Sequence, residues 1–321
     1  MMKTIGVLTS GGDAPGMNAA VRSVARSALA AGIKVYGIKG GYYGLINDDI
    51  IELNMRSVSD VIHRGGTFLY SARCPEFKTE EGMQQAIATC KKYGIEGIVV
   101  VGGDGSFRGA RDLSLRGIPC VAIPATIDND ISSTEYALGF DTAMNTCMDM
   151  VDRLRDTIQS HDRCSVVEVM GRGAGYLALH TGLAVGATSV IVPEIPYDFK
   201  RDVLDRIEYT RSIGKKHFII VVAEGVGGVH EMAKEIQAVT GIDTRATVLG
   251  HVQRGGNPTV RDRNMASRYG NAAVELLKQG IGNRVVAFKE SKIVDYDIFE
   301  ALNMKKPFDF DIFEIGRSIS I

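Results

Sequence analysis

Short, continuously apolar runs rich in β-branched residues recur along this chain at residues 5–8, 34–38, 98–101, 120–123, 165–169, 189–192, 218–223 and 285–288, with stretches long enough for a helix between them. A strand that is apolar on both faces must be covered on both faces, and strands joined through helices run parallel. The pattern predicts an α/β fold with mainly parallel sheets covered by helices. A chain of 321 residues, 45% hydrophobic, exceeds the usual size of a single core, so two domains are expected.

The two halves look alike in outline. The run at 5–8 leads through Ser10-Gly11-Gly12-Asp13-Ala14-Pro15-Gly16 into a helical pattern at 18–30, and the run at 165–169 leads through Gly171-Arg172-Gly173-Ala174-Gly175 into one at 177–184. Each half then repeats strand, helix and strand up to an acidic glycine-rich turn, Gly103-Asp104-Gly105 in one and Glu224-Gly225-Val226-Gly227 in the other. Ligands of such sheets bind beyond the carboxyl ends of the strands, so these turns are expected to line one cleft. The boundary is placed near Gly139.

Most of the chemistry lies between residues 98 and 130. Ile98-Val99-Val100-Val101 runs into Gly102-Gly103-Asp104-Gly105-Ser106, and Val121-Ala122-Ile123-Pro124-Ala125 into Thr126-Ile127-Asp128-Asn129-Asp130. Bare glycines let the backbone close on phosphate oxygens, and a carboxylate beside them can hold the Mg²⁺ that shields those phosphates. The second loop packs two carboxylates, a hydroxyl and an amide into five residues. As a structural feature it reads as an Asx-rich turn capping a helix. In an extended backbone Asp128 and Asp130 point the same way, which suits one as base and the other as metal or orientation group. Phosphoryl transfer from a nucleotide to a hydroxyl is the reaction class these loops suggest.

Other classes recede. The motif G-x-x-x-x-G-K-[ST] is absent, which excludes ordinary P-loop enzymes, and the second strand closes on Gly37-Ile38-Lys39-Gly40 without the acidic residue a dinucleotide ribose needs. A formal charge of −1 with interspersed signs leaves no basic stripe for nucleic acid. Cys74, Cys90, Cys120, Cys147 and Cys164 form no C-x-x-C pair and are odd in number, so neither a zinc set nor a full disulfide framework is suggested, and a reducing cytoplasm fits. No apolar run approaches membrane-spanning length, and the N-terminus has no basic, apolar and cleavage-site pattern of an export signal. Positive charge for phosphate would come from Arg73, Arg163, Arg172, Arg245 and Arg254, each in or near a loop, with surface ion pairing as the alternative role.

The segment Leu8-Thr9-Ser10-Gly11-Gly12-Asp13-Ala14-Pro15-Gly16-Met17-Asn18, the two loops above, Met170-Gly171-Arg172, and Gly250-His251-Val252-Gln253-Arg254-Gly255-Gly256 together resemble the bacterial ATP-dependent 6-phosphofructokinase family. The motifs occur in family order and extend to the closing Asn303-Met304-Lys305. The resemblance implies two similar Rossmann-like domains with the active site in the cleft between them: a larger, ATP-binding one of residues 1–138 plus about 252–305, and a smaller, sugar-phosphate-binding one of 139–251 plus about 306–321. It also implies a cytoplasmic homotetramer in which MgATP phosphorylates the 1-hydroxyl of fructose 6-phosphate. Carried over residue by residue, Asp128 is the base, Asp104 binds Mg²⁺, and Thr126 contacts the transferred group. Arg172 stabilises charge in flight. Gly12, Arg73, Cys74, Gly103, Asp104, Gly105 and Ser106 hold ATP. Thr126, Ile127, Asp128, Met170, Gly171, Arg172, Glu224, His251, Val252, Gln253 and Arg254 hold the sugar phosphate, with Arg163 and Arg245 reaching in from a neighbouring subunit.

Within the family, pyrophosphate-dependent members resemble G-G-D-D and P-K-T-I-D-N-D at the two loops. Gly105 and Ala125 replace the second Asp and the Lys, and Gly105 leaves room for the α-phosphate and adenosine. Arg22, Arg26, Arg155, Lys215 and Lys216 match the site at which relatives bind ADP or phosphoenolpyruvate, whereas Met55 and Ile213 stand where a basic residue is often found and Thr188 where a Glu is usual. Altered allosteric control is therefore expected. A pyrophosphate-dependent kinase and a non-catalytic sugar or nucleotide sensor are the competing readings, opposed by Gly105 and by the joint presence of Asp104 and Asp128.

Overall fold

A computed structural model describes residues 2–320. In chain order the elements are β1 (Thr4–Ser10), α1 (Met17–Ala30), β2 (Lys34–Ile38), α2 (Tyr42–Ile46), β3 (Ile50–Leu53), α3 (Glu80–Tyr93), β4 (Gly97–Gly102), α4 (Asp104–Ser114), β5 (Cys120–Pro124) and α5 (Phe140–Ser160). They continue with β6 (Cys164–Val169), α6 (Tyr176–Ala184), β7 (Ser189–Ile191), α7 (Asp205–Ser212), β8 (Phe218–Ala223), α8 (Val229–Thr240) and β9 (Thr244–Val248). Last come α9 (Val260–Lys278), β10 (Arg284–Lys289), β11 (Lys292–Asp297), α10 (Ile298–Asn303) and α11 (Phe310–Ile319).

The chain separates into two compact units. One comprises residues 1–127, 131–142 and 254–306, and the other 128–130, 143–253 and 307–321. The first is built on a seven-stranded sheet of order β11-β10-β5-β4-β1-β2-β3, in which β2, β1, β4, β5 and β10 run parallel. β4 is buried along its whole length, as an apolar strand with helices on both faces must be. α1 buries Met17, Ala20, Val21, Val24, Ala25 and Ala28, the i, i+3, i+4, i+7 stripe of a helix on a sheet. It packs on α9 at Gly270, where a Cβ would come within 2.5 Å of Ser23 Cβ.

The second unit holds a four-stranded parallel sheet of order β7-β8-β6-β9. β8, Phe-Ile-Ile-Val-Val-Ala, is buried throughout and centres a core with Val166, Ile191, Val203, Ile207 and Ile236.

Each apolar run expected from sequence is a strand. Three further strands, β3, β9 and β11, were not expected, and the first sheet is mainly parallel as expected, with β3 and β11 pairing antiparallel at its edges. Edge strands are covered less completely, so they carry charges such as Glu52, Asp295 and Asp297 and lack a continuous apolar run.

Candidate active site

In the first unit the parallel registers Ser10↔Gly102 and Gly102↔Pro124 bring the carboxyl ends of β1, β4 and β5 side by side. The chain leaves β1 towards β2 on one side and returns to β4 on the other, so β1 and β4 flank a topological switch point, where doubly wound sheets bind ligands. Three of the singled-out segments therefore gather at the carboxyl end of the sheet: Gly11-Gly12-Asp13, Gly103–Ser106, and the loop beginning at Thr126.

α4 starts directly after Gly103, whose backbone is extended and which offers no side-chain cap. The start of α4 thus presents the positive end of its helix dipole at the end of the sheet, an arrangement that receives phosphate. Ser106 and Phe107 donate back to the Gly103 carbonyl at 2.9 and 3.1 Å, and the Tyr42 hydroxyl donates to the Ser106 carbonyl at 2.6 Å, so the turn is held from below. Ser106 itself is buried. Gly102 is close-packed, since a Cβ there would lie 2.4 Å from the Ser10 carbonyl oxygen. Gly105 differs: a Cβ there meets nothing within 4 Å, and its φ is not positive. Neither packing nor backbone conformation requires a glycine at 105.

Asp104 sits in the first turn of α4 with its carboxylate 46% exposed, paired to Arg108 at 3.0 Å. An exposed pair of that kind is weak and yields readily to a cation. Across the sheet end, Ala125 donates to the Gly102 carbonyl at 2.9 Å, and Thr126 donates its N–H to the Leu138 carbonyl at 3.0 Å. Beyond it the backbone turns rather than extends: Asn129 has φ 51°. The extended backbone on which a shared direction for Asp128 and Asp130 depended is therefore not formed, because a left-handed residue between them breaks the strand alternation. Asp128 is buried and Asp130 half-buried.

Arg254 lies over the first loop, its guanidinium 3.4 Å from the Asp13 carbonyl and close above Gly12. The sequence pointed to sugar phosphate for Arg254 and to ATP for Gly12, and the two are neighbours. Arg73 is exposed and Cys74 half-buried. Burial pushes the Cys74 thiol up from its usual value, and the thiols of Cys90, Cys120, Cys147 and Cys164 are pushed up to about 12, so none of the five is a thiolate at neutral pH.

In the second unit β6 ends in the turn Met170-Gly171-Arg172. Gly171 has φ 146° and Arg172 φ 59°, and the Glu224 carboxylate holds this strained backbone by accepting the N–H groups of Gly171, at 3.2 Å, and Arg172. Gln253 is fully buried. Its Oε1 accepts from Met170 N–H at 3.0 Å and Cys147 Sγ at 3.1 Å, and its Nε2 donates to Gly250. It orders the loop, while His251 and Val252 beside it are exposed. One acidic residue went unnoticed in the sequence: Asp243 takes Arg163 Nε at 2.6 Å and Arg245 Nε at 3.2 Å, so one carboxylate holds both guanidinium groups through their Nε atoms. The spacing Asp-x-Arg ahead of a strand could have signalled it, since alternate residues share a face.

Two of the basic residues matched to an effector site also cluster in this unit. Burial, then Arg155 and Arg206, holds the Lys215 ammonium below its usual range, and burial, then Arg155 and Lys215, lowers His217. Lys216 is exposed. In the first unit, burial and then Arg26 lower Arg22. Met55 and Ile213 are exposed, and Thr188 is wholly buried.

A family model described as phosphofructokinase matches residues 4–277. The chain is 57% identical over its full length, and the full length of the relative, to an ATP-dependent 6-phosphofructokinase of Clostridioides difficile, and 55% identical, again over both full lengths, to one of Bacillus cytotoxicus. Among solved structures it is similar to phosphofructokinase from Saccharomyces cerevisiae (33% identity, TM-score 0.88), covering 94% of this chain and 45% of that one. A pyrophosphate-dependent phosphofructokinase from Marinobacter aquaeolei shares the fold at 23% identity and TM-score 0.86, over 97% of this chain and 86% of that one.

Proposed function

The chain belongs to the phosphofructokinase family and is an ATP-dependent phosphotransferase with an alcohol acceptor; we propose that its residues divide the transfer of the ATP γ-phosphoryl group to the 1-hydroxyl of fructose 6-phosphate as follows. The uncapped start of α4, with Gly12, Arg73, Cys74 and Gly103–Ser106, receives the nucleotide phosphates. The observation that carries this is the juxtaposition of the β1, β4 and β5 ends, with Gly105 open above the helix terminus.

Asp104 is suited to Mg²⁺. It is an accessible hard-oxygen donor beside that phosphate cradle, and the described residues contain no group of three or more His, Cys, Asp or Glu that would cage a metal. Mg²⁺ is commonly held by one or two carboxylates plus substrate phosphates, so the donor set fits. Bound there, the ion would offset charge on the phosphate oxygens. Asp128 takes the proton from the acceptor hydroxyl, Thr126 contacts the moving group, and Arg172 meets the charge spread over its oxygens. Little covalent work is left to the protein, so catalysis is positioning plus electrostatic stabilisation.

Ile127, Met170, Gly171, Glu224, His251, Val252 and Arg254 form the sugar-phosphate side, and Gln253 serves it by holding Met170 and Gly250 in place. Arg163 and Arg245 serve a neighbouring protomer of a homotetramer. The free cysteines and the lack, among the described residues, of any helix long and apolar enough to cross a membrane are in keeping with a cytoplasmic enzyme. The first unit carries the ATP-binding residues, and the second carries most of the sugar-phosphate ones, Ile127 and Arg254 excepted.

Steady-state assays with ATP, GTP and pyrophosphate as donors test the assignment. ATP is expected to serve and pyrophosphate to fail; efficient use of pyrophosphate overturns the role of Gly105. Asp128→Asn keeps the shape and removes the base, with an expected fall in kcat of about 10²–10⁴, and near-normal turnover would strike Asp128 from that role. Arg22, Arg26, Arg155, Lys215 and Lys216 form an effector site weakened by Met55, Thr188 and Ile213. Shallow phosphoenolpyruvate inhibition is expected, and strong inhibition relieved by ADP contradicts it.

A further inference from the structure

Within the first unit, the start of α5, up to Thr142, lies next to the start of α9, and α9 caps it. The residue before α5 is Gly139, at φ 97°, which has no side chain to offer its first turn. The cap comes from α9 instead. Asp262, wholly buried, accepts the N–H of Gly139 at 2.8 Å, the N–H of Thr142 at 3.0 Å, the Thr142 hydroxyl, and the Tyr136 hydroxyl at 2.6 Å. The same Thr142 oxygen accepts from Thr259 N–H at 3.0 Å. The Thr259 hydroxyl, which caps α9 by accepting Asp262 N–H at 3.3 Å, donates to Asp141 at 2.6 Å. Two carboxylates thus face two helix N-termini, which suits both dipoles.

A buried carboxylate with only neutral donors is a costly way to fill space. Burial pushes the Asp262 carboxyl up while its four donors pull it down. What it holds explains its presence. Gly139 follows Leu138, which donates its N–H to the Pro124 carbonyl at 3.0 Å and accepts Thr126 N–H at 3.0 Å. Ala125, between them, bridges to Leu138 and donates to Gly102. The chain from Asp262 through Gly139 and Leu138 ends at the root of the loop that carries Thr126 and Asp128.

We propose that Asp262 is a positioning residue for phosphoryl transfer: by capping α5 from α9 it holds residues 136–142 against residues 124–126 and so sets where the Thr126–Asp128 loop begins. This rests on the reading of Asp128 as the base. Small misplacements of a base are costly in rate, up to about 10²-fold for 1 Å, whereas substrate binding through other loops is spared.

The test is steady-state kinetics well below the melting temperature of each variant. Asp262→Asn puts a donor where an accepting oxygen was. Its kcat is expected to fall at least about tenfold with both KM values within about threefold of wild type. Tyr136→Phe removes one neutral donor and leaves the bonds to Gly139 and Thr142, so its kcat stays within about twofold even if its melting temperature falls as far. An unchanged kcat in Asp262→Asn, a rise in KM with kcat intact, or an equal loss in Tyr136→Phe overturns the proposal. If Asp262→Asn does not accumulate as folded protein, Thr142→Val carries the test, with kcat expected to drop about threefold or more at unchanged KM and the same results counting against it. Asp128→Asn assayed alongside separates the two ideas: near-normal turnover there removes the base itself, whatever Asp262→Asn does.

Discussion

Gly105 is a glycine that neither packing nor backbone conformation requires, and the proposed nucleotide site supplies a reason for it. At Gly102 the carbonyl of Ser10 forbids a Cβ, and at Gly139 a φ of 97° disfavours one, but at Gly105 the space is open and the backbone ordinary. Gly105→Asp should therefore leave the melting temperature within a few degrees of wild type while raising KM for ATP by about tenfold or more, because a carboxylate would project beside the phosphates at the α4 terminus. Thermal melts and ATP titrations check both halves, and loss of folding with unchanged KM would contradict the assignment. Asp243 makes the complementary point. It holds the guanidinium groups of both Arg163 and Arg245, yet in the sequence it is one acidic residue among 38. Asp128 and Asp130 show the limit of local rules: the acidic loop was legible, but the left-handed Asn129 that interrupts the extended backbone between them was not.

At the scale of elements, legibility followed burial. Strands apolar along their whole length, such as β4 and β8, announce themselves, whereas β3, β9 and β11 mix charged and apolar residues because only part of their surface is covered. Connections between elements were less visible. Before α7, Asp202 accepts from Arg201 at 2.6 and 2.8 Å and from the Asp198 N–H at 2.8 Å, and Arg317 of α11 lies 3.9 Å away. The bond from Arg201 is the first cause holding the Asp202 carboxyl below its usual range. A carboxyl whose folded pKa is depressed stabilises above its unfolded value and loses that stabilisation as pH falls through the folded one. Asp202→Asn is accordingly expected to lower the melting temperature at pH 7, with the gap to wild type closing below about pH 4, where the unfolded carboxyl protonates. A gap that widens on acidification would contradict this sign.

For the molecule as a whole, the proposed assembly makes a statistical prediction. If each site takes Asp128 from one protomer and Arg163 and Arg245 from a neighbour, then Asp128→Asn and Arg163→Ala/Arg245→Ala chains are each nearly inactive alone. Unfolded together in equal amounts and refolded, they should form mixed oligomers in which roughly one site in four is intact. Recovery of activity on mixing, absent from either variant refolded alone, is the expected result. No recovery would place both arginines in the same protomer's site.

By itself the sequence determined the α/β class, the strands buried on both faces, the glycine-rich turns at their carboxyl ends and the reaction class, because each depends on residues close together in the chain and on the physics of short segments. Only the tertiary structure decided which turns meet. The parallel registers set Gly102 beside Ser10 and Pro124, Arg254 beside Gly12, and Asp262 under a helix that begins about 120 residues earlier. Pairings at such separations are set by how strands order in a sheet and how helices pack on it, and no window of sequence contains them.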